Sequence, residues 1–509
     1  MSLSLRRRFV FTVGANLLRS ALSFATGVLL ARSLGPVSFG TMAFLLGTFI
    51  AIRQMLDLGT STAFYTFMSQ RPRSKRHVAG FFVWLVAQLT LVLLVVGAVF
   101  PSQWIDFIWR GEHRGLVLLA FAAAFMQNSV WPVIQQIGES QRQTVWVQSI
   151  GAALAAAHLL VVVLLWYSSV LGLHAIFIAI VLEYLLAAAV LLRWLPLQSA
   201  PPPAADAEPV WRSYFRYCLP LFPYSCVGFA YEFADRWLLQ SYGGSVQQAY
   251  YAVSAQFASI ALIATSSILN IFWKEIAEAH YRGDHARTHR LYTRISRSLF
   301  LVAAIVAGFL SPWASDLLRL LLGATYVAGA STLVIMFLYP VHQSLGQITG
   351  TMMYATERVM LSVVAGIIFM LLSIGVTYIV LAPPGARIPG LGLASTGLAL
   401  KMVGLQVFQT NIVAYMIARL FKWPFDWVFQ PVALLGCLAC GWLAHVVVVT
   451  LTPASWPTLT VIALGGVSYA ALIVAFVYVM PWLTGLTRNE LVLNVATVWR
   501  RTSDRFKPA

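Results

Sequence analysis

Charge is what this 509-residue chain has least of. Asp, Glu, Lys and Arg together make 10% of it, where an ordinary soluble chain carries about 25%. Hydrophobic residues make up 60%, so the chain is read as an integral membrane protein. Acids are scarcer than bases: 17 Asp and Glu against 34 Lys and Arg, a net charge of +17. That excess does not imply nucleic-acid binding. The bases sit in short loops between apolar stretches, and no Arg/Lys-rich soluble module is there to grip a duplex. Cysteine is nearly absent. Cys218, Cys226, Cys437 and Cys440 each lie in or beside an apolar stretch. Cys437 and Cys440 have a redox or zinc spacing, but there is no second pair and no flanking ligand cluster. They are read as packing residues, and no metal site is expected. A nucleotide-binding Gly-rich loop is missing too, so ATP is not the energy source within this chain. No cofactor is expected. The alternation that a membrane barrel needs is absent.

Long apolar runs are what the chain does have. A helix needs roughly 20 apolar residues to cross the bilayer, and fourteen stretches qualify: 9–31, 41–67, 78–100, 116–137, 145–167, 173–195, 215–239, 248–272, 296–314, 327–351, 359–381, 392–417, 428–450 and 458–482. Ser311-Pro312 shortens the ninth. No convincing small-residue cleavage site follows Arg6, Arg7 and Arg8, so the first run should stay as an anchor. With the N-terminus taken as cytoplasmic, 25 of the 34 Lys and Arg fall on one side, 5 on the other and 4 inside spans. By the positive-inside rule both ends are cytoplasmic. The stretch Lys274–Arg297 on that side reads as a helix pair lying at the membrane surface.

The fold class expected is an all-α membrane protein of about fourteen helices. It has a six-helix lobe (1–195), a Pro/Ala-rich cytoplasmic linker (196–214), a second six-helix lobe (215–420) and two further helices with a tail (421–509). Short matches suggest duplication. Leu171-Gly172-Leu173 opens the sixth span and Leu391-Gly392-Leu393 the twelfth; Ser33-Leu34-Gly35 follows the first and Ser241-Tyr242-Gly243 the seventh. Transporters are often built from such repeats, with the substrate site between them.

The four bases inside spans are Arg19, Arg53, Arg236 and Lys401. Facing lipid, each would cost about 2.5–3.5 kcal/mol, which argues for a protein-lined cavity with cationic walls, suited to an anion. Arg53 and Asp57 are four apart and can pair along one helix face. So can Glu232 and Arg236, with Asp235 beside them as an excess acid. Asp57, Glu183, Glu232 and Asp235 are the candidates for ion coupling or gating; a structural network explains them equally well. Arg19 and Lys401 have no acid three or four residues away and need a partner on another helix, water or a ligand. Arg19 is the better candidate for a phosphate, because its guanidinium is a planar fork. His158, His342 and His445 read as satisfied polar residues. Gln127, Asn128, Gln135, Gln136, Gln343 and Gln347 can bind sugar hydroxyls or tie helices together.

The opening stretch carries a resemblance. Asn16 and Arg19 precede Leu29-Leu30-Ala31-Arg32-Ser33-Leu34-Gly35-Pro36-Val37-Ser38-Phe39-Gly40. This run, with Asn16, Arg32, Gly35, Pro36 and Gly40 as its marks, resembles the opening of bacterial polysaccharide flippases, the Wzx-type branch of the MATE-like (MOP) transporter superfamily. Asp57-Leu58-Gly59 and Asp235-Arg236 resemble them as well. The resemblance implies a V-shaped, two-lobed body in the bacterial inner membrane. It would flip an oligosaccharide linked to undecaprenyl diphosphate from the cytoplasmic to the periplasmic face by alternating access, and so serve O-antigen or exopolysaccharide biosynthesis. Its partners would be that lipid-linked substrate, membrane lipids, and polymerase and chain-length proteins of the same pathway. The coupling ion stays open. Two alternatives stay open as well: a multidrug/cation antiporter of the same superfamily, and a membrane polymerase or ligase. Short outer loops, poor in paired acids, speak against the latter, and the chain is not expected to be an enzyme.

Overall fold

The computed structural model describes residues 5–70, 75–194 and 210–485, with side chains from residue 11 onward except those of 194, 263–268, 270 and 271. Every regular element in them is helical. Arg71, Arg73, most of the Pro-rich linker and the basic tail beyond 485 lie outside the described residues.

The chain runs through α1 (Leu5–Asp57), α2 (Thr60–Gln70), α3 (Lys75–Leu94), α4 (Ser102–Trp109), α5 (Arg114–Phe125), α6 (Trp131–Ser140), α7 (Thr144–Tyr167), α8 (Leu173–Trp194) and α9 (Val210–Cys218). Next come α10 (Phe222–Tyr281), α11 (His285–Leu310), α12 (Ala314–Leu322), α13 (Ala330–Ala355), α14 (Val359–Leu381), α15 (Ala394–Leu420), α16 (Phe429–Leu451) and α17 (Thr458–Val479). Among the described residues, ten helical stretches are long and apolar enough to cross a membrane. The chain is a multi-pass, all-helical membrane protein.

Two of the longest helices are each a pair joined at a glycine. In α1 the break is at Gly35 (φ 71°, ψ 170°), and in α10 at Gly244 (φ 74°, ψ −179°). Side chains disfavour that backbone, so glycine is required. The two kinks are the same turn used twice. They shift the internal match by one residue: Gly35 corresponds to Gly244, not to Gly243.

The structure departs from the sequence reading in two further places and agrees with it in a third. The second span is interrupted where Leu58 and Gly59 take positive φ. Asp57 then caps α2, accepting from Thr60 Oγ1 (3.1 Å), Ser61 N (2.9 Å) and Ser61 Oγ (2.5 Å). Its carboxylate is thereby spent on the cap, and the expected Arg53–Asp57 ion pair is not formed. Residues 274–297 are no separate pair of surface helices. They continue α10 and begin α11, joined by the turn at 282–284, where Asp284 accepts from Arg287 N at 2.9 Å. The helix of the ninth stretch ends at Leu310, just before Ser311-Pro312.

By proximity the chain divides into two compact units, Met1–Val253 with Ile367–Leu398, and Ser254–Gly366 with Ala399–Ala509. This grouping by contact is a different division from the expected lobes. In lipid no hydrophobic force draws helices together, so close backbone approach at small residues does that work. In the first unit a side chain on Gly40 would run into the main chain of Ser245. In the second, a Cβ on Gly308 would lie 2.7 Å from the Cys437 carbonyl carbon, and one on Gly441 would strike the Gly308 carbonyl. Cys437 is buried at that crossing and all four cysteines are unpaired, as a packing role requires.

Candidate functional site

A cavity of about 420 Å³ lies inside the first unit, walled by α1, α6, α7, α8 and the turn before α6. Local sequence builds it. Pro132 has no N–H to give to the preceding turn, and the residues before it, Met126–Val130, widen into a π-helical turn. Such turns recur at functional sites. This one carries Gln127, whose amide donates to Tyr184 Oη at 3.3 Å. Gly151 of α7 leaves room for a long side chain opposite: a Cβ there would sit 3.8 Å from Arg19 Nη1 and 3.6 Å from the Gln135 amide nitrogen.

Arg19 is the cation of this cavity. Its Nη2 donates to Asn16 Oδ1 at 3.1 Å, one turn earlier. Arg19 thus has a neutral local partner and no ion pair among the described residues. Glu139 is in electrostatic range of Arg19, and Tyr184 is in range of both Arg19 and Glu183. Glu139 accepts from Gln148 at 3.4 Å. Glu183 meets His158 across helices: Oε2 lies 2.7 Å from Nδ1, with the two side chains 11% and 20% exposed. His158, Gln127 and Gln135 are therefore cavity residues, whereas Asn128 bonds back to the carbonyl of Ala124 at 3.0 Å. Nothing in the bare sequence separated His158 from the other histidines; its one signal is its place in an Ala-rich helix beside a lone acid. Glu139 was also missed, because it sits at a span's end, where acids are common.

Most of the other expected site residues lie elsewhere in the first unit. Arg236 packs on Gly47, whose Cβ would lie 3.1 Å from Arg236 Nε, and it stacks over Tyr251 with 5.2 Å to the ring centre. Asp235 is 7% exposed and accepts from Thr377 Oγ1 at 2.7 Å. Glu232 is in electrostatic range of Arg236, Asp235 and Arg53, and forms no direct ion pair with Arg236. This cluster is a packed network, and its members are not on the wall of the Arg19 cavity. Lys401 belongs to the second unit and is 3% exposed, with its Nζ 3.8 Å from Met402 Sδ.

The marks of the opening motif hold the kink and its contacts. Gly35 makes the turn, followed by Pro36, which has no N–H to lose there. Arg32 is exposed. Gly40 meets Ser245, and beside it Thr41 Oγ1 lies 3.1 Å from Ser245 Oγ and 3.2 Å from Glu112 Oε1. Gln240 donates to Ser245 Oγ at 2.9 Å, and Ser395 Oγ to Gln247 Oε1 at 2.5 Å. Residues far apart in sequence are thus locked together around both kinks.

A model of the polysaccharide biosynthesis protein family matches residues 5–273, more than half of the chain and including the cavity and both kinks. The chain belongs to that family. A candidate O-antigen transporter of Escherichia coli (strain K12) is 25% identical over 156 residues, 30% of this chain and 37% of that protein. The match spans little more than a third of that relative. Among solved structures, an inward-closed lipid II flippase MurJ has a TM-score of 0.69 at 14% identity, over 92% of this chain and 99% of that one. An inward-facing multidrug resistance MATE transporter of the MOP superfamily has 0.58 at 16%, over 81% and 99%. The fold of this family member is that of the MOP transporters.

Proposed function

We propose that this polysaccharide biosynthesis protein flips an undecaprenyl-diphosphate-linked oligosaccharide from the cytoplasmic to the periplasmic face of the bacterial inner membrane. The observation that carries the reading is Arg19, an intramembrane guanidinium on a cavity wall with only an amide for a local partner. A diphosphate supplies the missing counter-charge through charge-assisted, forked hydrogen bonds. Gln127, Gln135 and Tyr184 on the same cavity suit the hydroxyls of the adjoining sugar. Arg53 and Lys401 would be met in other states of an alternating-access cycle, while Arg236, packed on Gly47 and Tyr251, would serve the scaffold. Glu183, with Asp57, Glu232 and Asp235, is the acid set from which any ion coupling would be drawn. The names of the relatives, an O-antigen transporter and a lipid II flippase, favour a lipid-linked glycan as cargo. Both termini are assigned to the cytoplasm from loop charge, the six-plus-six-plus-two lobes from the repeat, and polymerase and chain-length proteins as partners from the pathway.

The decisive experiment is reconstitution. Vesicles containing the protein should move a fluorescent polyprenyl-diphosphate glycan between leaflets, and vesicles with the Arg19→Ala form should not. Movement of an organic cation in place of the glycan would make the chain a multidrug antiporter instead. Hydrolysis or polymerisation of the glycan would make it an enzyme.

A further inference from the structure

His158 is held from behind. Its Nδ1 is taken by Glu183 Oε2 at 2.7 Å. Its ring forms part of the cavity wall that Arg19 also forms, while Glu183 does not reach that wall. Nε2 is therefore the nitrogen left for a ligand. One proton changes what it does. With Glu183 ionised and the imidazole neutral, Nδ1 carries the hydrogen, Nε2 can only accept, and the pair bears one negative charge. With one proton more, on whichever partner it rests, the pair is neutral and Nε2 donates. The second carboxylate oxygen, Oε1, is buried without a hydrogen-bond partner among the described residues, so His158 is the one hydrogen-bond partner of the carboxylate there. The charged or titratable groups around the pair are Arg19 from α1 and Tyr184 from α8, both on the same cavity wall, with Tyr184 in electrostatic range of Glu183 and Arg19; Glu139 from α6 is in range of Arg19.

We infer that the His158–Glu183 pair is a proton-dependent contact for a phosphate oxyanion, made from His158 in the cavity that Arg19 also lines. In its protonated form it donates from His158 Nε2 to the phosphate. In its deprotonated form it presents a lone pair and a negative charge, and repels it. Binding of the phosphate then takes up one proton from water. The inference rests on the flippase reading for the identity of the ligand. It gives a ligand contact to His158, which the sequence alone read as a satisfied polar residue.

The test uses purified full-length protein and farnesyl-diphosphate-linked N-acetylglucosamine, whose doubly esterified diphosphate does not itself titrate near neutrality. Calorimetry in two buffers of unlike ionisation heat counts protons. The expected result is uptake of about one proton per ligand, with affinity falling about tenfold per pH unit once the pair has lost its proton. His158→Gln and Glu183→Gln should both abolish the uptake and flatten the pH dependence. Glu183→Gln should also keep its affinity at high pH, because a neutral histidine then carries its hydrogen on Nε2. Arg19→Ala should bind more weakly at every pH yet keep the uptake. Binding without proton uptake, or uptake that persists in both pair variants, overturns the inference. So does uptake seen with phosphatidylglycerol vesicles and not with the glycosyl diphosphate. Should His158→Gln fail to fold, Glu183→Gln decides alone. Failure of the flippase reading looks different: no form of the protein binds the probe.

Discussion

Arg19 and Arg236 both lie in apolar stretches, and neither has a direct ion pair among the described residues, yet they sit in unlike surroundings. Arg19 reaches a cavity with an amide as its one hydrogen-bond partner among the described residues. Arg236 is laid against Gly47 and the ring of Tyr251, inside a network with Asp235 and Glu232. A guanidinium packed on carbon and ringed by fixed charges is part of the scaffold. One whose donors face open space is left with bonds to make, and a ligand can make them. The number of intramembrane charges therefore says less about transport than where each one's donors point.

The largest effect should come from Arg19. Arg19→Ala should stop polysaccharide export in cells and make lipid-linked intermediates accumulate, with the protein at normal membrane abundance. Arg19→Lys should restore part of the activity, since it keeps the charge and loses the fork. Reduced abundance in place of lost export would move Arg19 into the same class as Arg236.

A reversible loss should follow from fixing the contact between the kinks. Thr41 Oγ1 and Ser245 Oγ are 3.1 Å apart, so cysteines at both positions are close enough to form a disulfide. Export should cease on oxidation and return on reduction. Full activity in the oxidised protein would mean that this contact stays closed throughout the cycle.

Filling the cavity should weaken transport by a smaller factor. Gly151→Leu would push carbon toward Arg19 Nη1 and the Gln135 amide. It should lower transport about tenfold, equivalent to about 1.4 kcal/mol, at unchanged abundance. Gly47→Ala, which crowds Arg236 instead, should act on thermal stability and leave transport per molecule unaltered. Equal effects of the two would erase the distinction drawn between the arginines.

In the packed network the first effect should be on folding. Thr377→Val removes a donor from buried Asp235 and should lower stability by about 1–3 kcal/mol, read from unfolding in detergent. Least intrusive of all, single cysteines at Arg73 and Arg287 should leave export intact. They should also resist an impermeant thiol reagent in whole cells. Labelling at either site would reverse the assigned orientation.

The helical body, the opening motif and the lack of any acid within a helical turn of Arg19 were legible in sequence. Each is written in local composition or in a short run of residues: a span is a count of apolar side chains, and a lone arginine shows itself by what is missing three and four positions away. Pairings were less legible. Arg53 and Asp57 have the spacing of an ion pair. A break of two residues, where Leu58 and Gly59 adopt positive φ, turns the carboxylate to the next helix start instead. The true register of the repeat, Gly35 with Gly244, is a matter of φ, and the neighbouring Gly243 looks the same in text.

What the sequence by itself determined is thus the kind of molecule: a charge-poor, multi-pass helical protein with a few bases inside its spans and a family motif at its start. Only the tertiary structure decided which charges act together. It joined His158 to Glu183, put Gln127, Gln135 and Tyr184 on the cavity wall with Arg19, enclosed Arg236 and Asp235, and brought Gly40 to Ser245. The physical reason is range. Hydropathy and helix caps depend on residues within a turn or two, whereas a cavity and its electrostatics depend on helices that are adjacent in space and distant in the chain.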